Sequence, residues 1–212
     1  MKLYSFFNSS TSFRVRIALA LKGLPYEHAG VNLRAGGQGS AEYRELSPAA
    51  IVPTLVDGDT VLTQSLAIID YLDHVHPEPR LIPEAPLERA RVLEIAQTIA
   101  CEIHPINNLR VLKYLATTLA VKETDKSAWY RHWVEEGLAA VESLLARLPA
   151  SDYCVGKVPT LADCCLVPQV ANSLRMECDL SRFPRIRAVY GHCMAHPAFV
   201  QAAPANQPDY VG

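Results

Sequence analysis

The spacing of apolar positions changes character near residue 80. Before it, short β-rich runs alternate with helical periods. "KLYSFF" (2–7) predicts a strand, and "SFRVRIALALKG" (12–23) places apolar residues at helical spacing and stops at Gly23. "YEHAGVNL" (26–33) predicts a second strand and "AEYRELSP" (41–48) a short helix ended by Ser47 and Pro48. "VPTLVDGDTVLTQS" (52–65) reads as a hairpin around Asp57-Gly58-Asp59. "SLAIIDYLDHVHP" (65–77) then reads as a helix with Ser65 as its cap and Pro77 beyond its end. The expected order is β-α-β-α-β-β-α.

Residues 77–86 hold four prolines, a stiff connector and the best place for a domain boundary. Everything after it is helical in pattern. Leu87 to about Ala120 reads as one long segment bent near Pro105, and Lys126 to Leu148 as another. "TLADCCLVPQVANSLR" opens on Thr160-x-x-Asp163, a capping box in its acidic variant, and its apolar run predicts the buried central helix of an all-α domain. "FPRIRAVYGHCMAHPAFVQAAP" (183–204) adds one or two terminal helices.

Composition narrows the function classes. The 212 residues carry 20 Lys and Arg against 22 Asp and Glu, a formal charge of −2, which excludes a basic nucleic-acid footprint. No apolar run is long enough to span a bilayer, and the first ten residues lack a signal-peptide core, so the expected location is cytoplasmic. The six cysteines show no C-x-x-C spacing and no finger-like Cys/His set. Buried free thiols are expected and a metal is not.

Three stretches carry candidate chemistry. Ser9, Ser10, Thr11 and Ser12 stand where the first strand gives way to a helix. Free N–H groups there favour an anion, a thiolate included, although a plain helix cap explains the hydroxyls equally well. Val52-Pro53 precedes a strand. If cis, it leaves Val52 backbone groups for an extended peptide ligand; otherwise it is a turn proline. Gln64 and Ser65 start the third helix, where an N-terminus and a neutral amide suit the charged end of a small peptide. In the helical half, spacing turns His104 and Asn108, and less squarely Val111, toward one face. His104 reads as a general base or, more simply, as a hydrogen-bonded histidine before Pro105.

Taken together these pieces resemble the glutathione transferases, and within them the zeta class. That class carries S-S-C-x-W-R-V-R-I-A-L at its first helix; here the run is Ser9-Ser10-Thr11-Ser12-Phe13-Arg14-Val15-Arg16-Ile17-Ala18-Leu19. "LALKGLPYE", "VPTLVDGDTVLTQSLAIIDYL" and "LADCCLVPQVAN" are similar to further zeta-class segments, so the resemblance spans the chain. It implies an α/β, thioredoxin-like N-terminal domain over 1–80, a linker over 81–86 and an all-α, helical substrate domain over 87–212.

By the same resemblance glutathione is the cofactor. Ser9 is the hydroxyl expected to donate to its sulfur, with Ser10 and Thr11 around it. Val52 would pair with the cysteinyl part, Gln64 and Ser65 with the γ-glutamyl end, and Gln38 lies at a position near the glycyl end. His104, Asn108 and Arg110 match residues that face glutathione and substrate, and Arg110 and Arg175 match residues that bind substrate carboxylates. Single surface arginines are commonly just solvated, and Arg175 also suits the end of its helix. Three departures stand out: Thr11 replaces the signature Cys, Phe13 the Trp, and Asn8 an Arg common in relatives that handle dicarboxylates. The implied activity is cis–trans isomerisation of a maleyl dicarboxylate by a homodimer, with maleylacetoacetate or maleylpyruvate as substrate. A general transferase or α-haloacid dehalogenase is the alternative, and a non-catalytic interaction module a more distant one.

Overall fold

The computed structural model describes residues 1–211, and the chain divides into two compact units. In the first, β1 (Lys2–Ser5), β2 (Glu27–Gly30), β3 (Thr54–Asp57) and β4 (Thr60–Thr63) form a sheet ordered β2-β1-β3-β4. β1 and β2 are parallel, with Leu3 beside His28, because α1 (Ser10–Leu21) crosses between them. β3 runs antiparallel to β1, with Leu3 beside Leu55, and turns into β4 through Gly58 at φ 58°, a left-handed position that glycine takes at no steric cost. α2 (Ala41–Leu46) and α3 (Ser65–Val75) complete the unit.

Every residue of α1 from Ser12 to Leu19 is buried, so the helix lies inside its layer rather than on a surface. Arg14 and Arg16 are buried with it. At the far end of α1, Lys22 Nζ meets Asp73 Oδ1 of α3 at 2.8 Å, with both side chains almost fully buried. The pair is completely answered. Lys22 also donates to the His76 and Pro79 carbonyls, and Asp73 accepts the N–H groups of Leu81 and Ile82. A buried ion pair is tolerable when its remaining valences are filled in this way.

The second unit is helical. α4 (Pro86–Gln97) runs into a π-helical stretch, Thr98–Ile103, which ends before Pro105. α5 (Leu109–Thr117) is a separate helix, so the long bent segment expected over 87–120 is broken into pieces. Proline at 105 and the capping side chain of Asn108 explain the break. α6 (Glu123–Ala146) passes so near the π-helical stretch that a Cβ on Gly137 would fall 2.3 Å from Ile103 Cγ1. α7 (Leu161–Arg175) is buried continuously from Leu161 to Val170 and is the core helix. Its capping box is formed: Asp163 Oδ2 accepts from the Thr160 N–H and hydroxyl, and Oδ1 accepts the Cys154 N–H. α8 (Pro184–Ala195) packs its Ile186, Val189 and Cys193 inward.

The chain then leaves this unit. The segment from Met194 to Val211, assigned by pattern to the helical domain, clusters with the first unit instead. There α9 (Pro197–Ala202) lies on α1. Periodicity identifies a helix but not the layer it covers, and this one packs on α1.

The cysteines also depart from expectation at one position. Five are buried thiols outside any disulfide, and Cys101 is exposed. Burial raises the Cys154 and Cys193 thiols, with Asp163 adding to the rise, and pushes Cys178 up to about 11, so these remain protonated.

Candidate functional site

The turn between β1 and α1 is over-determined by hydrogen bonds. Ser9 is the N-cap of α1, and its Oγ accepts the Ser12 N–H at 3.2 Å. Ser9 Oγ lies 2.9 Å from Thr11 Oγ1, and Thr11 Oγ1 donates to the Val52 carbonyl at 2.9 Å. A hydroxyl has one proton to give. Thr11 gives its proton to Val52, so the proton between the two hydroxyls belongs to Ser9. Ser10, the first residue of α1, is buried at the same turn.

Two residues that the sequence reading passed over hold this turn in place. Arg16 Nη1 donates to the Ser5 hydroxyl and the Phe6 carbonyl, Nη2 to the Phe7 carbonyl at 3.0 Å, and Nε to Ala202 of α9 at 2.9 Å. Its acceptors are neutral, and burial lowers its pKa to about 10, which leaves it charged at neutral pH. Asp209, near the end of the chain, accepts the Phe7 N–H at 2.9 Å. Its other oxygen lies 3.0 Å from His28 Nε2, without the alignment of a hydrogen bond. The Tyr210 ring meets Phe7 edge-on at 5.4 Å. An arginine inside an otherwise apolar helical run is the signal in the sequence that could have marked Arg16. Asp209 has no such signal.

Val52 belongs to a buried cluster with Phe6, Phe7, Val31 and Tyr43, and its peptide bond to Pro53 is cis. The β1–β3 ladder begins at Thr54, so Val52 lies outside it, with its carbonyl on Thr11. Gln38 sits in a short 3₁₀ turn, Gly37–Gly39, and its Oε1 is buried without a partner. The start of α3 differs from the expectation. Ser65 is the first helical residue, not the cap. Gln64 holds the cap position at φ 70° and makes no side-chain cap bond. A non-glycine residue in that region is strained, a cost found where surrounding structure imposes the geometry. With Gln64 not capping, the first N–H groups of α3 are left for another acceptor. Ser65 Oγ instead accepts from Arg14 Nη1 at 3.3 Å.

The helical unit holds the other candidates. His104 follows the π-helical stretch, and its Nε2 lies 3.2 Å from Asn108 Nδ2. An amide nitrogen only donates, so Nε2 accepts and the ring proton is assigned to Nδ1. Asn108 Oδ1 accepts the Arg110 N–H and so caps α5. Arg110 and Arg175 are both exposed, and Arg175 donates to Asn172 at 3.3 Å from the last turn of α7. The guanidinium of Arg175 is near enough to Tyr130 to pull against the upward shift that burial gives that phenol.

The geometry of the first unit fits a thiol peptide: a hydroxyl whose proton can be redirected, a backbone strip outside the ladder, an uncapped helix start and a buried amide oxygen without a partner. Comparison with known proteins agrees with it. Residues 3–80 match the family model for the glutathione S-transferase N-terminal domain, and residues 108–197 that for the C-terminal domain. The chain is 50% identical to a probable maleylacetoacetate isomerase of Vibrio cholerae over 98% of its length and 97% of the relative's. The holo structure of a bacterial zeta-class maleylpyruvate isomerase superposes with a TM-score of 0.97 at 46% identity, covering all of both chains. A maleylacetoacetate isomerase from Methylobacterium extorquens AM1, solved with malonate and glutathione bound, superposes at 0.93 and 33% identity, again over both whole chains. The chain belongs to the glutathione S-transferase family, in its zeta class.

Proposed function

We propose that the protein is a glutathione-dependent isomerase that turns the cis double bond of a maleyl dicarboxylate into the trans, fumaryl form. The observation that carries this reading is the Ser9 hydroxyl at the N-cap of α1, with its proton held on Thr11. Bound glutathione supplies a thiolate that adds to the double bond and leaves after rotation, so it is not consumed. Ser9 turns its O–H onto the sulfur, and both that hydrogen bond and the helix start favour the charged form. Thr11 keeps its own proton on the Val52 carbonyl meanwhile, so the switch strands no donor. Ser10 borders the sulfur position. Val52 presents its N–H to the cysteinyl unit, Gln64 and Ser65 take the amino-acid end, and Gln38 the glycyl end.

In the helical unit the mutually bonded pair His104 and Asn108 contributes to ligand binding, and Arg110 and Arg175 bind the substrate carboxylates. Guanidinium groups hold carboxylates through paired hydrogen bonds and stabilise charge that grows during the reaction. The Methylobacterium relative, solved with both glutathione and malonate, a dicarboxylate, bound, supports this assignment. Relatives named for maleylacetoacetate and for maleylpyruvate match 98% and 99% of the chain, and the substrate class is stated at the level they share. We further propose a cytoplasmic homodimer: six cysteines outside any disulfide support the location, and membership of the glutathione S-transferase family supports the dimer. Among the described residues no helix is long and apolar enough to cross a membrane.

The test is isomerisation of maleylacetone with substoichiometric glutathione, run beside chlorodinitrobenzene and dichloroacetate. Many turnovers per glutathione are expected. Vigorous conjugation without isomerisation would replace the reading with that of a general transferase.

A further inference from the structure

Arg14 and Arg16 lie two residues apart on one buried helix, 2% and 1% exposed, and are treated very differently by their surroundings. Each nitrogen of Arg16 has an acceptor. Arg14 has one, the Ser65 hydroxyl at 3.3 Å, while its Nε and Nη2 are buried with no partner. Among the described residues no carboxylate pairs with it. A buried cation left in this state is costly, and such a cost is expected where a missing anion completes the group. The one partner it has points to where that anion goes. Ser65 opens α3, an 11-residue helix whose N-terminal N–H groups Gln64 does not cap. The positive end of a helix and an uncompensated guanidinium therefore converge on the same hydroxyl.

We infer that Arg14 is a positioning residue for a ligand carboxylate at the N-terminus of α3: it fixes the Ser65 hydroxyl and supplies the charge which that carboxylate neutralises. The inference rests on the reading that glutathione binds this unit, and it names the α-carboxylate of the γ-glutamyl group as the anion. Arg14 works through Ser65 and the local field. Its effect is therefore specific to the carboxylate and not general to the peptide.

The test uses the full-length protein, wild type, Arg14→Met and Arg14→Lys, with two probes: glutathione and its analogue lacking that carboxylate, γ-aminobutyryl-cysteinylglycine. Calorimetry of the wild type should show a clear preference for glutathione. Arg14→Met should cut that preference by about tenfold or more, the weight of one hydrogen-bonded charge, while binding the analogue as the wild type does. Without ligand, Arg14→Met should melt no lower than the wild type, because it removes a buried charge that nothing pairs. Arg14→Lys should retain an intermediate preference, and it carries the same comparison if the Met variant does not fold. Equal weakening of both peptides by either variant, or an undiminished preference in both, overturns the inference. A wild type that binds neither peptide fails the glutathione reading itself, and the inference with it.

Discussion

In the α/β unit, Ser9, Thr11 and Val52 are linked in 2.9 Å steps, and the turn that bears them is gripped by Arg16 and Asp209. In the helical unit, Arg110 and Arg175 are exposed, and Arg175 is steadied by a long hydrogen bond to Asn172 at 3.3 Å. On the proposed reading the difference matches what each set has to do. A cofactor that returns unchanged in every cycle rewards a site fixed in advance, since the ordering cost is met on folding. Substrate carboxylates arrive and leave in altered geometry as the double bond rotates, and long exposed guanidinium arms can follow them.

Four substitutions would break or sharpen this contrast. The largest effect belongs to the frame of the α/β unit. Asp73→Ala leaves Lys22 buried and unpaired and strands two backbone donors, and it should cost about 3–5 kcal/mol in urea unfolding. Ser9→Ala should lower turnover about a hundredfold or more, the scale of losing one preorganised donor to a reacting anion. The lost cap should cost about 1 kcal/mol of stability. Persistent activity would assign the sulfur to Ser10 or to the helix start. Arg175→Ala should raise the apparent KM for maleyl dicarboxylates about tenfold while leaving glutathione affinity and neutral electrophiles unchanged. Equal effects on charged and neutral substrates would remove it from carboxylate binding. Thr11→Cys should be the mildest. A thiol is a weaker donor to the Val52 carbonyl, so steady-state turnover should stay within about threefold of wild type.

Much of the architecture could be read from local patterns. Short β-rich runs marked all four strands, Asp57-Gly58-Asp59 marked the hairpin, and Thr160-x-x-Asp163 marked the start of the core helix. Local readings failed where a neighbour distant in sequence decides. Ser65 looks like a cap by residue type, but the chain enters α3 through Gln64 and leaves the Ser65 hydroxyl to Arg14. Cys101 has the apolar context of a buried thiol, yet it falls on the outer side of the π-helical stretch. The helix at 197–202 is legible as a helix, but its attachment to α1 is not.

The sequence alone determined the order of elements, the two-part organisation and the run of hydroxyls at the first helix, because these depend on side-chain period and on residues within a turn or two of each other. Only the tertiary structure decided which groups those hydroxyls meet. Arg16 reaches Ala202 and Phe7 reaches Asp209 across 186 and 202 residues of chain. No local spacing encodes such contacts, because they exist only once burial has removed water as the competing partner. Burial likewise separates two arginines of one short motif, leaving Arg16 fully bonded and Arg14 awaiting an anion.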